Sequence, residues 1–178
     1  MMKLLMIFSY FTDGFAYAGE ALTGRYIGAG DGRMVRQTVK WTFIWSMSIA
    51  VLFMGIYHFA GVPMLRMMTS DVQVIEAAGE YLPWLLLMPV AGCAAFTWDG
   101  IYIGATASKA IRNSMLWAVV AFAIIWFAGI ALLQALPHDQ GRYGYAAMHI
   151  LMGAYFAHLM ARTVYLSVRY RHAILSGL

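Results

Sequence analysis

Charge is what this sequence has least of: only 11% of its 178 residues are Asp, Glu, Lys or Arg, against about a quarter in an ordinary soluble domain. So little polar surface cannot cover a soluble core of this size, which excludes a soluble globular enzyme. A single cysteine, Cys93, rules out an intramolecular disulfide framework and leaves the redox compartment unreadable. Four prolines and 17 glycines are too few for a collagen-like or Pro/Gly-dominated disordered chain. What is present in excess is apolar: 62% hydrophobic residues, 15% aromatics and 14 methionines, with a mean hydropathy of +0.69. The composition implies an integral membrane protein.

A helix that crosses a bilayer needs roughly 20 predominantly apolar residues. Trp41 to Leu65 and Ser114 to Pro137 hold no charged residue, and Tyr143 to Ala161 carries only His149 and His158. Two further stretches have the length but contain acids: Leu4 to Gly28, with Asp13 and Glu20, and Leu82 to Ala107, with Asp99. The expectation is an all-α membrane protein with five transmembrane helices at about 4–28, 41–65, 82–107, 114–137 and 143–165. Connectors are expected around 29–40, 66–80, 108–113 and 138–142.

Orientation follows from the basic residues. Five crossings collect Arg25, Arg33, Arg36, Lys40, Lys109, Arg112, Arg162, Arg169 and Arg171 on one side, and only Lys3, Arg66 and Arg142 on the other. The first side is therefore expected to be cytoplasmic, with the N-terminus outside and the C-terminus inside. Acidic Asp71, Glu76, Glu80 and Asp139 fall outside. Topology thus accounts for the net charge of +4, and no nucleic-acid partner is called for. Met1 to Leu22 has no cationic segment of the kind that opens a signal peptide, and an N-out helix with two carboxylates inserts poorly alone. The expectation is that a segment upstream is missing.

An ionised carboxylate at mid-bilayer costs about 2.5–3.5 kcal/mol on insertion scales, so Asp13, Glu20 and Asp99 need a reason. Asp13 and Glu20 are seven residues apart and share a helix face, with Tyr17 between them and Ser9 one turn before. From the span midpoints, Glu20 and Asp99 both lie about 6–7 Å to the cytoplasmic side of centre, and Asp13 about 4–5 Å to the other side. Two carboxylates at one depth can share a proton or hold a cation between them. The competing reading is that each acid only satisfies a neighbouring helix, Asp99 through a Tyr hydroxyl or a Ser.

Pro89, inside the third span, leaves the Leu85 carbonyl without its helical partner and predicts a kink, whereas Pro83 sits harmlessly near the helix start. Gly100 and Gly104, Gly24 and Gly28, and Gly153 with Ala157 form small-residue ridges that allow close helix contact. Gly28-Ala-Gly-Asp-Gly32 lacks the preceding strand and following Lys of a phosphate loop and reads as a helix cap and turn. His149 and His158 lie on opposite faces of one helix and cannot form a two-ligand site. No Ser/His/Asp or Cys/His pairing has a spacing suited to nucleophilic catalysis, so no enzyme and no cofactor are expected.

Two stretches carry a resemblance: Phe11-Thr-Asp-Gly-Phe-Ala-Tyr-Ala-Gly-Glu20-Ala-Leu-Thr-Gly-Arg-Tyr-Ile-Gly-Ala-Gly-Asp31, and Trp98-Asp-Gly-Ile-Tyr-Ile-Gly-Ala-Thr-Ala-Ser-Lys-Ala-Ile-Arg112-Asn-Ser-Met115. Both resemble the multidrug and toxic compound extrusion (MATE) transporters, in the branch named for DNA-damage-inducible protein F. The resemblance implies a bacterial inner-membrane antiporter with twelve helices in two lobes, exporting cationic or amphipathic compounds against H⁺ or Na⁺ by alternating access. It implies that this chain supplies helices eight to twelve and that the amino-terminal lobe is its missing partner. Asp99 falls at the tenth-helix acid used in cation coupling, which makes it the position for Na⁺ where Na⁺ is the coupling ion. Glu20 and Asp13 are the next candidates for coupling, and Tyr17, Trp98 and Tyr102 are expected to line the cavity. From a different class, the chain reads as a membrane scaffold or truncated remnant whose acids are structural.

Overall fold

The computed structural model describes residues 2–135 and 140–175, with side chains over 5–135 and 143–175. Of the groups expected in the connectors, His138 and Asp139 lie outside the described residues, and Lys3 and Arg142 outside the described side chains. The described residues are helical with short joints and no strand: α1 (Met2–Gly28), α2 (Gly32–Met68), α3 (Val72–Glu80), α4 (Leu82–Gly104), α5 (Ser108–Ala135) and α6 (Gln140–Tyr170), closed by a wider helical turn over Arg171–Leu175. Of these, α2, α4 and α5 are long and apolar enough to cross a membrane.

Helix ends depart from the apolar runs for a simple reason. A basic first turn marks where a helix leaves the bilayer and does not end the helix. Thus α2 begins at Gly32, nine residues before its apolar stretch, and α5 at Ser108, six before its own. Asp31 caps α2, its carboxylate accepting from the Arg33 and Met34 backbone N–H groups at 3.1 and 3.0 Å. The Gly28–Gly32 segment is the expected cap: Gly30 takes φ +69°, and the Gly30 and Asp31 N–H groups return to the Ile27 and Tyr26 carbonyls. The expected 66–80 connector contains α3, which Asp71 caps by accepting from Gln73 N–H at 2.9 Å.

Helix α4 lies at the centre. It is buried nearly all round, with Leu85, Cys93, Ala95, Ile101 and Tyr102 almost without exposure, and it runs unbroken through Pro89. Its faces divide by residue size. Gly100 and Gly104 meet the α1 backbone, where an added Cβ would strike the carbonyl oxygens of Ala16 and Glu20 respectively. The offset between the two helices is the same at both contacts, so α1 and α4 run parallel and in register. Toward α2, the Thr97 and Ser46 hydroxyls share a buried hydrogen bond of 2.9 Å. Toward α6 lie Ala95, Trp98, Asp99 and Tyr102, one stripe at helical spacing.

Helix α5 buries only Ser114, Ala118 and Leu133. It turns Leu116, Trp117, Val120, Ile124, Phe127 and Leu132 outward. An outer surface of this kind belongs in lipid or against more protein.

Candidate functional site: a buried ion pair between α4 and α6

The carboxylate of Asp99 accepts a charge-assisted contact from the guanidinium of Arg162, Oδ2 to Nη2, at 2.6 Å. Their side chains are only 15% and 11% exposed. Local sequence brings them together. On α4, Asp99 belongs to the stripe of Ala95, Trp98 and Tyr102; on α6, Arg162 stands three residues after buried Leu159 and four before buried Leu166. Each charge therefore occupies a core-facing position that its apolar neighbours define.

The stripes lock around the pair. Trp98 Nε1 donates to Ser167 Oγ at 2.8 Å, and the Tyr102 hydroxyl donates to the Leu166 carbonyl at 2.6 Å. Trp98 also packs edge-on against Phe43 and Tyr102, and tilted against Tyr170. Above and below Asp99 the register is thus held by hydrogen bonds to α6, so the carboxylate has little freedom to leave its partner.

The ion pair is made through one point of contact only. Asp99 Oδ1 and Arg162 Nε, together with the neighbouring Thr163 Oγ1, are buried and have no hydrogen-bond partner among the described residues. A guanidinium and a carboxylate can engage through two parallel bonds; this pair keeps one acceptor on the acid in reserve. Chemically, a carboxylate with a vacant buried oxygen can take up a proton, and doing so removes the charge that compensates Arg162.

The other expected residues are distributed differently. Trp98 and Tyr102 belong to the packed α4–α6 core, because their ring edges and polar tips are consumed by α6. Tyr17 is 69% exposed, and Asp13 and Glu20 are partly exposed, beside the buried stripe of Phe8, Thr12, Gly19 and Thr23 on α1. The depth comparison between Glu20 and Asp99 changes as well. In the α1–α4 register, with Ala16 opposite Gly100 and Glu20 opposite Gly104, Asp99 is level with Phe15. Glu20 lies five residues further toward the α1 C-terminus, about 7 Å along the axis. Asp99 therefore sits between Asp13 and Glu20 in depth, and its contact is on α6.

Arg162 is the residue that sequence reasoning placed elsewhere, among nine cytoplasmic cations. Its signal was positional: an arginine on a helix stripe between two leucines that become buried. His149 and His158 do face different helices. His149 Nδ1 accepts from Trp84 Nε1 at 2.8 Å beside Tyr145, whereas the His158 ring stacks on Tyr155 and lies near the Ala118 backbone of α5.

An apolar cavity of about 380 Å³ lies apart from the pair, between α1, α4, α5 and α6. Phe8, Met88, Phe96, Phe122 and Met152 line it, with Ser9 and Tyr155 as its hydroxyl groups. None of the six residues singled out from the sequence is on its wall.

The MatE family model matches residues 1–127. The chain is 37% identical over 141 residues to DNA damage-inducible protein F of Escherichia coli (strain K12), an alignment covering 76% of this chain. It spans only 31% of that relative's length. No solved structure matches the chain. A family model that accounts for all of α1 to α4 and most of α5, and a relative of this identity, make the chain a membrane-embedded member of the MatE family.

Proposed function

We propose that the chain is part of a secondary active multidrug efflux transporter of the bacterial inner membrane. It exports cationic or amphipathic compounds by antiport against H⁺ or Na⁺ through alternating access. In this reading α1, α2, α4, α5 and α6 are helices eight to twelve of a twelve-helix protein, with the N-terminus outside and the C-terminus cytoplasmic. The observation that carries it is the family match over residues 1–127.

Several features support the finer parts. Arg25, Arg33, Arg36, Lys40, Lys109, Arg112, Arg169 and Arg171 stand at the ends of α1 and α6 and the starts of α2 and α5. Those ends meet in one cluster around Val35, Tyr102, Leu166 and Ile174, and the concentration of cations there favours a cytoplasmic face. The apolar cavity, with two hydroxyls on its wall, has the chemistry of a site for amphipathic compounds. Asp13 and Glu20, partly exposed beside the α1 core stripe, and Tyr17, turned away from it, suit a surface toward the remaining protein better than one toward lipid.

Asp99 is the coupling residue in this account. Protonation leaves Arg162 buried without its counter-charge, which favours any arrangement in which α6 moves that cation toward water. Coupling then amounts to a shift between two populated states.

A second reading, in which the acids only hold helices together, draws on the same ion pair, since Asp99 already has a partner at 2.6 Å. One experiment separates them. The chain replaces the matching segment of the E. coli relative, and export of ethidium from energised cells is followed by fluorescence. The transport reading expects export by this chimera and its loss in D99N and in D99N/R162Q at equal membrane abundance. Export retained by the doubly neutral variant makes the pair structural, and a stably inserted chimera with no export above vector overturns the transport reading.

A further inference from the structure

We infer that Arg162 is the residue that keeps Na⁺ off Asp99, holding the site as a tethered cation where a free one would otherwise bind. The inference deepens the transport reading above and rests on it for the meaning of the site. It stands on three observations about the chain's own side chains.

First, the guanidinium is already at 2.6 Å from Asp99 Oδ2. A metal cation on the same carboxylate would sit within a few ångströms of a second positive charge, in a place too buried for water or salt to screen the repulsion. Second, the guanidinium has little room to withdraw. Leu159 and Leu166 bury the stripe on either side of Arg162, and the Trp98–Ser167 and Tyr102–Leu166 bonds fix the two helices on the C-terminal side of Arg162.

Third, the surroundings are poor in oxygen. Hard cations are held by six or so oxygen ligands, yet the α4 positions one turn from Asp99 are Ala95, Phe96, Tyr102 and Ile103. The Tyr102 hydroxyl is turned to Leu166. On α6 the corresponding positions are His158, Leu159, Tyr165 and Leu166, and the His158 ring is stacked on Tyr155. Besides Asp99 Oδ1 on α4, the buried side-chain oxygens of α6 without a partner among the described residues are Thr163 Oγ1, next to Arg162 in the chain, and the Tyr170 hydroxyl, two turns further on. A proton needs none of these ligands. It needs one vacant lone pair, and Asp99 Oδ1 has it.

Arg162 is thereby a specificity-determining residue: the volume its guanidinium fills would, once vacated, admit the waters that with Asp99 and Thr163 Oγ1 supply the oxygens the intact site lacks, so its removal should open the carboxylate to Na⁺. The test is equilibrium binding of ²²Na⁺ to the full chain in detergent micelles, with choline chloride holding ionic strength constant. Wild type is expected to show no saturable binding that depends on Asp99. R162Q is expected to show the saturable Na⁺ binding that wild type lacks, at least tenfold tighter than the weakest binding the assay detects, and D99N/R162Q to lose it. Saturable binding in wild type that D99N abolishes overturns the inference, as does an R162Q chain that folds and binds Na⁺ no better than wild type. If R162Q does not fold, R162M, which keeps an apolar stem and removes the charge, takes its place and must show the same gain, and a folded R162M that binds Na⁺ no better than wild type overturns the inference equally. Loss of ethidium export in the chimera would sink the transport reading while leaving this binding result intact, so the two failures are distinguishable.

Discussion

Asp99 on α4 and Arg162 on α6 form a one-point ion pair of 2.6 Å within a stripe otherwise made of Ala95, Trp98, Tyr102, Leu159 and Leu166. Removing one partner of a buried pair strands the other charge, which costs about 3–5 kcal/mol. D99N and R162Q are each expected to lower stability by about that much, and D99N/R162Q by less than their sum, with a coupling of about 1–3 kcal/mol. Unfolding in mixed micelles, measured for all four chains, checks this. Additive losses would mean that the two groups do not interact in the folded chain.

Gly104 lies against the Glu20 carbonyl and Gly100 against that of Ala16. A methyl group at either position meets backbone, which cannot rotate away, so the helices must separate. G100A and G104A are each expected to cost about 1–3 kcal/mol or more, whereas G28A, with open space around its Cβ, should be close to neutral. Thermal aggregation in detergent ranks the three, and equal behaviour of G28A and G104A would contradict the packing.

Thr106 closes α4 with φ +53°. Its N–H returns to Ile103 and the Ala107 N–H to Tyr102, the cap geometry that Gly30 supplies after α1. A β-branched residue there is strained, by about 1–2 kcal/mol. T106G is expected to raise the melting temperature despite the extra freedom it gives the unfolded chain, and T106V to leave the strain in place. A T106G melting temperature below wild type would mean that the hydroxyl or methyl of Thr106 contributes more than the strain costs.

Trp98 anchors the pair through Ser167 at 2.8 Å. S167A removes only the acceptor and should cost about 0.6 kcal/mol, the usual value for a hydrogen bond between membrane helices. W98F loses the donor and also trims a buried ring, so it should cost more, and S167A should add nothing to it. Unfolding of the three variants in the same micelles measures it.

How much of this was legible in the sequence depends on which force wrote each feature. The long helices were visible as predominantly apolar runs, because burial in lipid or core is read directly from residue type. Their ends were not: Arg33, Arg36, Lys40, Lys109 and Arg112 mark a polar boundary, and helical hydrogen bonding continues through them. Helix α3 was missed although Asp71 is a plain cap, since nine residues between two apolar runs read as a connector. That α4 meets another helix closely was visible in Gly100 and Gly104, while the partner, α1, was not. Asp99 stood out because a lone acid in a span needs a partner, but the partner did not. Arg162 was assigned by its distance from a span end, while its role is set by the face it shares with Leu159 and Leu166. The same stripe explains Trp98 and Tyr102, which the resemblance placed on a cavity wall and whose spacing with Ala95 packs them against α6.

The central claim is that Asp99 changes protonation and thereby releases Arg162. A pH-difference infrared spectrum of the chain in lipid measures it most directly, since a protonated carboxyl has a carbonyl stretch that the carboxylate lacks. The account predicts a carboxyl band that grows as pH falls in wild type, is missing in D99N, and is accompanied by a change in guanidinium absorption that R162Q removes. Identical difference spectra for wild type and D99N would contradict it.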